Sequence, residues 1–297
     1  MLPNPIFTLG DPDSFFYISL DMYTILIFVG IVMALVVFDF LSRKRKMSAR
    51  ANRFYYIAAI VSIVCGLFGA MVFQWIYNWI ETGVFEMRGM TFLGGLVTGA
   101  AVFLLSLIFA NEEVKKNFWR VLEIAPCCIL IAHFFGRLGC FCAGCCYGKP
   151  TDSFIGIAFP DTHGVPVHPT QLYEAAMLLV MFGVTLYMNL KDIRWSMIFY
   201  LYGYGIGRFL LEFVRGDDRG TGFIPGLSPS QATSILLVII ASLLLAYKIC
   251  RKKFPEKMKH ILPILEQDPD YDESKNRVFG VKAAKTKPED PKPDARP

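Results

Sequence analysis

ISLDMYTILIFVGIVMALVVFDFL, Ile18–Leu41, runs directly into Ser42-Arg43-Lys44-Arg45-Lys46. A helix needs about 20 mostly apolar residues to cross the roughly 30 Å hydrocarbon core of a bilayer. This stretch has that length, and its acidic residues, Asp21 and Asp39, lie near its two ends. The basic cluster behind it reads as a cytoplasmic exit, because Lys and Arg in short loops are retained on that side.

Six further runs of the same character follow, at Phe54–Ile76, Thr91–Ala110, Val121–Gly136, Glu174–Leu190, Ser196–Val214 and Ala232–Ile249. The fourth is short and enters a segment rich in Gly and Cys. Over the whole chain of 297 residues, 54% are hydrophobic and 19% charged, with 26 Phe. The mean hydropathy is +0.44. A soluble domain carries more charge and less apolar surface, which excludes a secreted disulfide-rich domain, a disordered protein and an ordinary cytosolic enzyme. The expected fold class is an all-α integral membrane protein with seven transmembrane helices and a disordered polar C-terminal tail. The membrane domain is placed at 1–253 and the tail at 254–297. That tail, rich in Pro, Lys, Asp and Glu, cannot bury a core; a docking segment is the other reading.

Basic residues set the orientation. Arg43, Lys44, Arg45, Lys46, Arg50 and Arg53 follow the first span; Lys115, Lys116 and Arg120 follow the third. Lys191 and Arg194 follow the fifth, and Lys248, Arg251, Lys252 and Lys253 the seventh. The alternate loops carry fewer: Arg88, Lys149 and Arg219. The N-terminus is expected outside and the C-terminus in the cytoplasm. Asp11 and Asp13, with no basic residue after Met1, do not make a signal peptide. No repeat, phosphate-cradling loop or nucleic-acid signature is present, and the net charge of +5 needs only the loop bias.

Ionisable residues in or beside spans are costly and therefore mark function. Three segments qualify. In Gly136-Arg137-Leu138-Gly139-Cys140-Phe141-Cys142-Ala143-Gly144-Cys145-Cys146-Tyr147-Gly148, an arginine is expected to leave the fourth span into a glycine-loosened backbone. A guanidinium fork suits phosphate; an interfacial arginine is the alternative. Cys140, Cys142, Cys145 and Cys146 lack the paired C-x2-C spacing of a zinc site. Packing or a disulfide is the leading reading, ahead of metal binding and thiol chemistry. His168-Pro169-Thr170-Gln171-Leu172-Tyr173-Glu174 gathers an imidazole, an amide, a phenol and a carboxylate. These could relay protons or orient a headgroup; helix capping by Thr170, with Glu174 in the first turn, is the simpler account. In the third segment, Tyr202–Asp218, Arg208 and Glu212 share a helix face at i,i+4 and Arg215 follows a turn later. With Arg137 this gives an expected interior of three cations against one carboxylate, suited to an anionic substrate entering from lipid.

At these segments the chain resembles the prolipoprotein diacylglyceryl transferase family, from Tyr23 through Gln231 and with the motifs in order. Gly136–Gly148 has the length of the signature G-R-x-G-N-F-x-N-x-E-x-x-G, His168–Glu174 resembles H-P-[ST]-Q-L-Y-E, and Tyr204–Asp218 resembles Y-G-x-x-R-x-x-x-E-F-x-R-x-x-D. Ser228-Pro229-Ser230-Gln231 resembles the opening of its last span. The resemblance implies an enzyme of the bacterial inner membrane that moves a diacylglyceryl group from phosphatidylglycerol to the lipobox cysteine of a preprolipoprotein, releasing glycerol phosphate, without a cofactor. It further implies catalytic roles for Arg208, His168 and Tyr23. Substrate binding falls to Arg137, Gly139, Gly148, Gln171, Tyr173, Glu174, Glu212 and Arg215, with Arg137 on the lipid phosphate and Glu212 orienting Arg208. The implied partners are phosphatidylglycerol, the lipobox peptide and membrane lipids; neither metal nor nucleic acid is expected. The departures are Cys140 and Ala143 in place of asparagines, Cys145 in place of glutamate, and Leu93 where F-H-G-G has histidine. They leave His168 as the best-placed base for an acceptor thiol of pKa about 8.5. Transfer to another acceptor, a non-catalytic lipid-binding or transport protein, and a thiol-redox or metal protein are the rival readings.

Overall fold

A computed structural model describes residues 6–9, 18–83, 91–216 and 226–254. Asp11, Asp13, Arg88, Asp217, Asp218, Arg219 and the tail from residue 255 lie outside the described residues. A short antiparallel hairpin, Phe7–Leu9 with Ile18–Leu20, precedes α1 (Met22–Lys44). There follow α2 (Ala49–Thr82), α3 (Phe92–Ser106), the short α4 (Glu112–Lys116), α5 (Phe118–Ala143), α6 (Thr170–Leu190), α7 (Ser196–Leu211) and α8 (Pro229–Lys253). All seven expected spans are helices. Five, namely α1, α2, α5, α6 and α8, are long and apolar enough to cross a bilayer. The third is a shorter apolar helix, and α7 has 16 residues.

Boundaries differ instructively. The fourth span was expected to end at Gly136, but α5 continues to Ala143 and stops at Gly144, whose φ of 75° closes a left-handed C-cap. Arg137 and Gly139 are therefore helical rather than in a loosened loop. A glycine inside a helix costs about 1 kcal/mol, and here close helix packing offsets it. A Cβ on Gly139 would sit 3.0 Å from Tyr23 Cδ2, and one on Gly30 would sit 2.9 Å from the Ala132 carbonyl. These contacts fix α1 and α5 antiparallel. The same small-residue logic joins α2 to α3, where Gly66 meets Gly95 and Gly99, and α7 to α8, where Gly205 faces Ser234.

The two ends of the bundle carry different chemistry. At one end Arg45 pairs with Asp192 and donates to Asn189 Oδ1 at 3.0 Å. Beside them buried Glu123 accepts from Lys248 Nζ at 2.9 Å and from the Ser196 amide at 2.8 Å. Exposed Arg50 pairs with Glu113 there as well. This end therefore collects the basic connections after spans one, three, five and seven. Tyr23, Arg137, Glu174, Arg208 and Ser228 all lie toward the other ends of their helices.

Candidate active site

The second turn from the end of α5, the start of α6 and the end of α7 converge on two buried ion pairs. Glu174, with no side-chain exposure, accepts from Arg137 Nη2 at 3.0 Å. The same oxygen lies 3.2 Å from the Tyr204 hydroxyl and 3.5 Å from His133 Nε2. Arg137 Nε lies 3.3 Å from His133 Nε2, and the His133 ring stands edge-on to Tyr204 at 5.4 Å between centroids. In the second pair Arg208 Nη2 lies 2.6 Å from Glu212 Oε2 and donates to Ser230 Oγ at 2.8 Å. Ser228 Oγ donates to Glu212 Oε1 at 2.7 Å, so the N-cap of α8 fixes the carboxylate that fixes the arginine. Gln231 completes the capping box at that helix start.

The simpler sequence account, Thr170 as N-cap with Glu174 in the first turn, does not hold: no acidic residue stands in the first turn of α6. The N-cap is Pro169; Thr170 is the first helical residue, and its hydroxyl donates to the Cys146 carbonyl at 2.7 Å. With Glu174 inside the bundle, the expected three cations face two carboxylates, not one. Arg208 Nη1, Glu174 Oε2, Gln171 Oε1 and Glu212 Oε2 are buried without a hydrogen-bond partner among the described residues, Glu212 Oε2 being held by its ion pair with Arg208. Burying an unpaired donor of this kind costs a few kcal/mol. An anionic oxygen arriving at Arg208 would remove that cost.

The connection after α5 is tied into the same region. Gly148 and His168 exchange backbone bonds with each other's neighbourhood, Gly148 N to His168 O at 2.8 Å and His168 N to Lys149 O at 3.0 Å. Gly148 also bridges Arg215, and a Cβ there would fall 2.6 Å from the Val214 carbonyl. Gln171, 1% exposed, donates its amide to the Cys145 carbonyl. His168 Nδ1 lies 3.1 Å from the Tyr173 hydroxyl. The eight cysteines are free thiols, so no disulfide closes the cluster. Hydrogen bonds with the Cys140 and Cys145 thiols, and the Arg215 guanidinium beside it, hold the Cys146 thiol below the ordinary thiol range.

Comparison with known proteins adds to this geometry. The sequence profile of the family described as Prolipoprotein diacylglyceryl transferase matches residues 14–247. The chain belongs to the prolipoprotein diacylglyceryl transferase family. It is 33% identical over 230 residues to a phosphatidylglycerol–prolipoprotein diacylglyceryl transferase of Clostridium tetani, covering 73% of this chain and 89% of that protein. A Clostridium perfringens enzyme of that name, numbered 2, is 33% identical over 245 residues, covering 75% and 89%. One from Campylobacter curvus is 30% identical over 273 residues, covering 84% and 98%.

Within this diacylglyceryl transferase fold the sequence-selected residues separate into groups. Arg137 and Glu174 form one pair, Arg208 and Glu212 the other, and Tyr23 packs over Gly139. Gly148, Gln171 and Arg215 hold the turn after α5, while His168 and Tyr173 bond to each other. Neither His133 nor Tyr204, the latter quoted only as the first residue of a motif, was among the sequence-selected site residues. Their signal was present: each lies four residues before an arginine, on the same helix face.

Proposed function

We propose that this chain transfers the diacylglyceryl group of phosphatidylglycerol to the lipobox cysteine of preprolipoproteins, releasing glycerol phosphate. The observation that carries this reading is the open Nη1 of Arg208, a buried cationic donor already braced by Glu212 and Ser230. The leaving phosphate gains charge as the glycerol carbon–oxygen bond breaks, and a preorganised donor in an apolar interior stabilises that charge most. Arg137, braced by Glu174, holds the lipid phosphate in the ground state. His168, adjacent to the turn at Gly148, takes the acceptor's proton. Tyr23 lines the lipid entry beside Gly139.

The collection of basic loops at the end opposite these residues supports an N-terminus outside and a C-terminus in the cytoplasm. The site then opens toward the outer face of the bacterial inner membrane, where exported precursors present their cysteine. The test is reconstitution in phosphatidylglycerol liposomes with a lipobox peptide. A diacylglyceryl mass gain with equimolar glycerol phosphate, abolished in Arg208→Ala, is the expected result. Glycerol phosphate release with an unmodified peptide would mean a different acceptor; neither product would refute the reading.

A further inference from the structure

The sulfur atoms of Cys140, Cys145 and Cys146 lie within 4.8 Å of one another. One comes from the last turn of α5 and two from the turn that follows, so a linear C-x4-C-C spacing conceals the cluster. The turn is fixed on both sides. Cys145 N donates to the Cys140 carbonyl at 3.1 Å, and Gln171 and Thr170 hold the Cys145 and Cys146 carbonyls. Cys146 is kept at φ 65°, a conformation uncommon for a residue with a Cβ.

A zinc-class ion with metal–sulfur bonds of about 2.3 Å spaces its sulfurs about 3.8 Å apart in a tetrahedron, inside the observed limit. A disulfide would use two of the three and strand the third. Among the described residues no other Cys, His, Asp or Glu joins the group. Three protein ligands with a fourth position open is the arrangement of catalytic rather than structural zinc sites. Three thiolates around a divalent ion leave one negative charge. Arg215, 5% exposed and hydrogen-bonded to Cys146, offsets it. The cluster borders the lipid site, since Tyr23 packs against Gly139, the residue before Cys140 on α5.

We propose that Cys140, Cys145 and Cys146 form a three-thiolate site for a zinc-class cation whose open position takes the acceptor's thiol. The second half rests on the transferase reading, in which the reaction alkylates sulfur. The acceptor thiol gives its proton to His168 or solvent on coordination. Its sulfur lone pair then forms the carbon–sulfur bond as the glycerol carbon–oxygen bond breaks, and glycerol phosphate departs with that electron pair. The neutral thioether is a poor ligand and leaves. No oxidant or reductant is needed. Two of the ligands, Cys140 and Cys145, stand where the resembled signature has asparagine and glutamate, and Leu93 stands where it has histidine. The site thus adds thiol activation where the signature's histidine is replaced by Leu93.

The test uses the full chain, purified in detergent under reducing conditions, with Zn2+ and Cd2+ as probes. Elemental analysis after gel filtration is expected to find one ion per chain, and cadmium–sulfur charge-transfer absorbance to report its ligands. Both are lost in Cys145→Ser/Cys146→Ser and kept in Cys65→Ser. Independently of any variant's folding, Zn2+ shields Cys140, Cys145 and Cys146 of the unsubstituted chain from alkylation, read by peptide mapping. Lipobox peptide raises the cadmium absorbance by about one third, as a fourth sulfur joins three. Chelation slows transfer about 100-fold at pH 6.5 and little above pH 8.5, because a free thiol of pKa about 8.5 is about 1% ionised at pH 6.5 while a coordinated one is deprotonated. Freely alkylated thiols without stoichiometric metal, or a disulfide among them, would overturn the site. Transfer indifferent to chelation at pH 6.5 would overturn the activating role. Metal binding with no transfer under any condition would leave the ion site standing and remove the transferase reading beneath its second half.

Discussion

Glu174→Gln removes one charge and almost no volume, which isolates the electrostatics of the first ion pair. Glu174 has no exposed side-chain surface and Arg137 only 12%, and their contact is 3.0 Å. Two effects compete. A neutral hydrogen bond between membrane helices averages about 0.6 kcal/mol, which a glutamine can keep in part with Tyr204 and Arg137. Leaving a buried guanidinium without its counter-charge costs about 3–5 kcal/mol, so the charge dominates. For a chain of this size that loss lowers the thermal midpoint by about 10 °C. Arg137→Met strands the carboxylate instead and carries a similar cost. The double variant has neither stranded charge, so the cycle should yield a favourable coupling of about 2–3 kcal/mol. The assay is thermal unfolding of the four proteins in one detergent, scored as differences between them. Strictly additive losses, or a Glu174→Gln midpoint equal to that of the unsubstituted chain, would refute the pair as a structural unit.

Arg208→Lys keeps a cation beside Glu212 but loses the planar fork that serves Glu212, Ser230 and an arriving phosphate together. Turnover in the transfer assay should fall about 10²- to 10³-fold, with a midpoint shift of only a few degrees. Gly148→Ala drives a methyl group into the Val214 carbonyl at 2.6 Å and the His168 Cβ at 2.8 Å; a stability loss of about 1–3 kcal/mol is expected, measured as a lower thermal midpoint. Glu123→Gln acts at the opposite end, where it weakens the Lys248 contact. The midpoint should drop while the turnover of the folded protein is unchanged. A lost turnover there would mean that the two ends are coupled.

The bundle was legible because bilayer thickness fixes span length, so seven apolar runs translate into seven helices with little ambiguity. Helix ends were less legible. Gly136 and Gly139 read as breakers by propensity, yet Gly139 is there so that Tyr23 can approach α5, a fact visible only once α1 is placed against it. The i,i+4 pair of Arg208 and Glu212 could be read directly from spacing. The pair of Arg137 and Glu174 could not, because its members lie 37 positions apart on different helices. Thr170 looked like a cap because hydroxyls favour that position; its partner proved to be the Cys146 carbonyl, on a turn whose path no local pattern gives. The four cysteines of this segment were visible as a group in the sequence, but that Cys140, Cys145 and Cys146 converge was not, since the helix ends between Cys140 and Cys145.

The measurement closest to the central claim is a structure of the protein with a non-hydrolysable phosphatidylglycerol analogue. The phosphate is predicted within hydrogen-bond distance of both Arg137 and Arg208 Nη1, with Glu212 and Ser230 still holding the Arg208 guanidinium and the glycerol carbon turned toward the turn at Cys145 and Cys146. A lipid phosphate bound elsewhere, with Arg208 contacting only Glu212 and Ser230, would contradict the account.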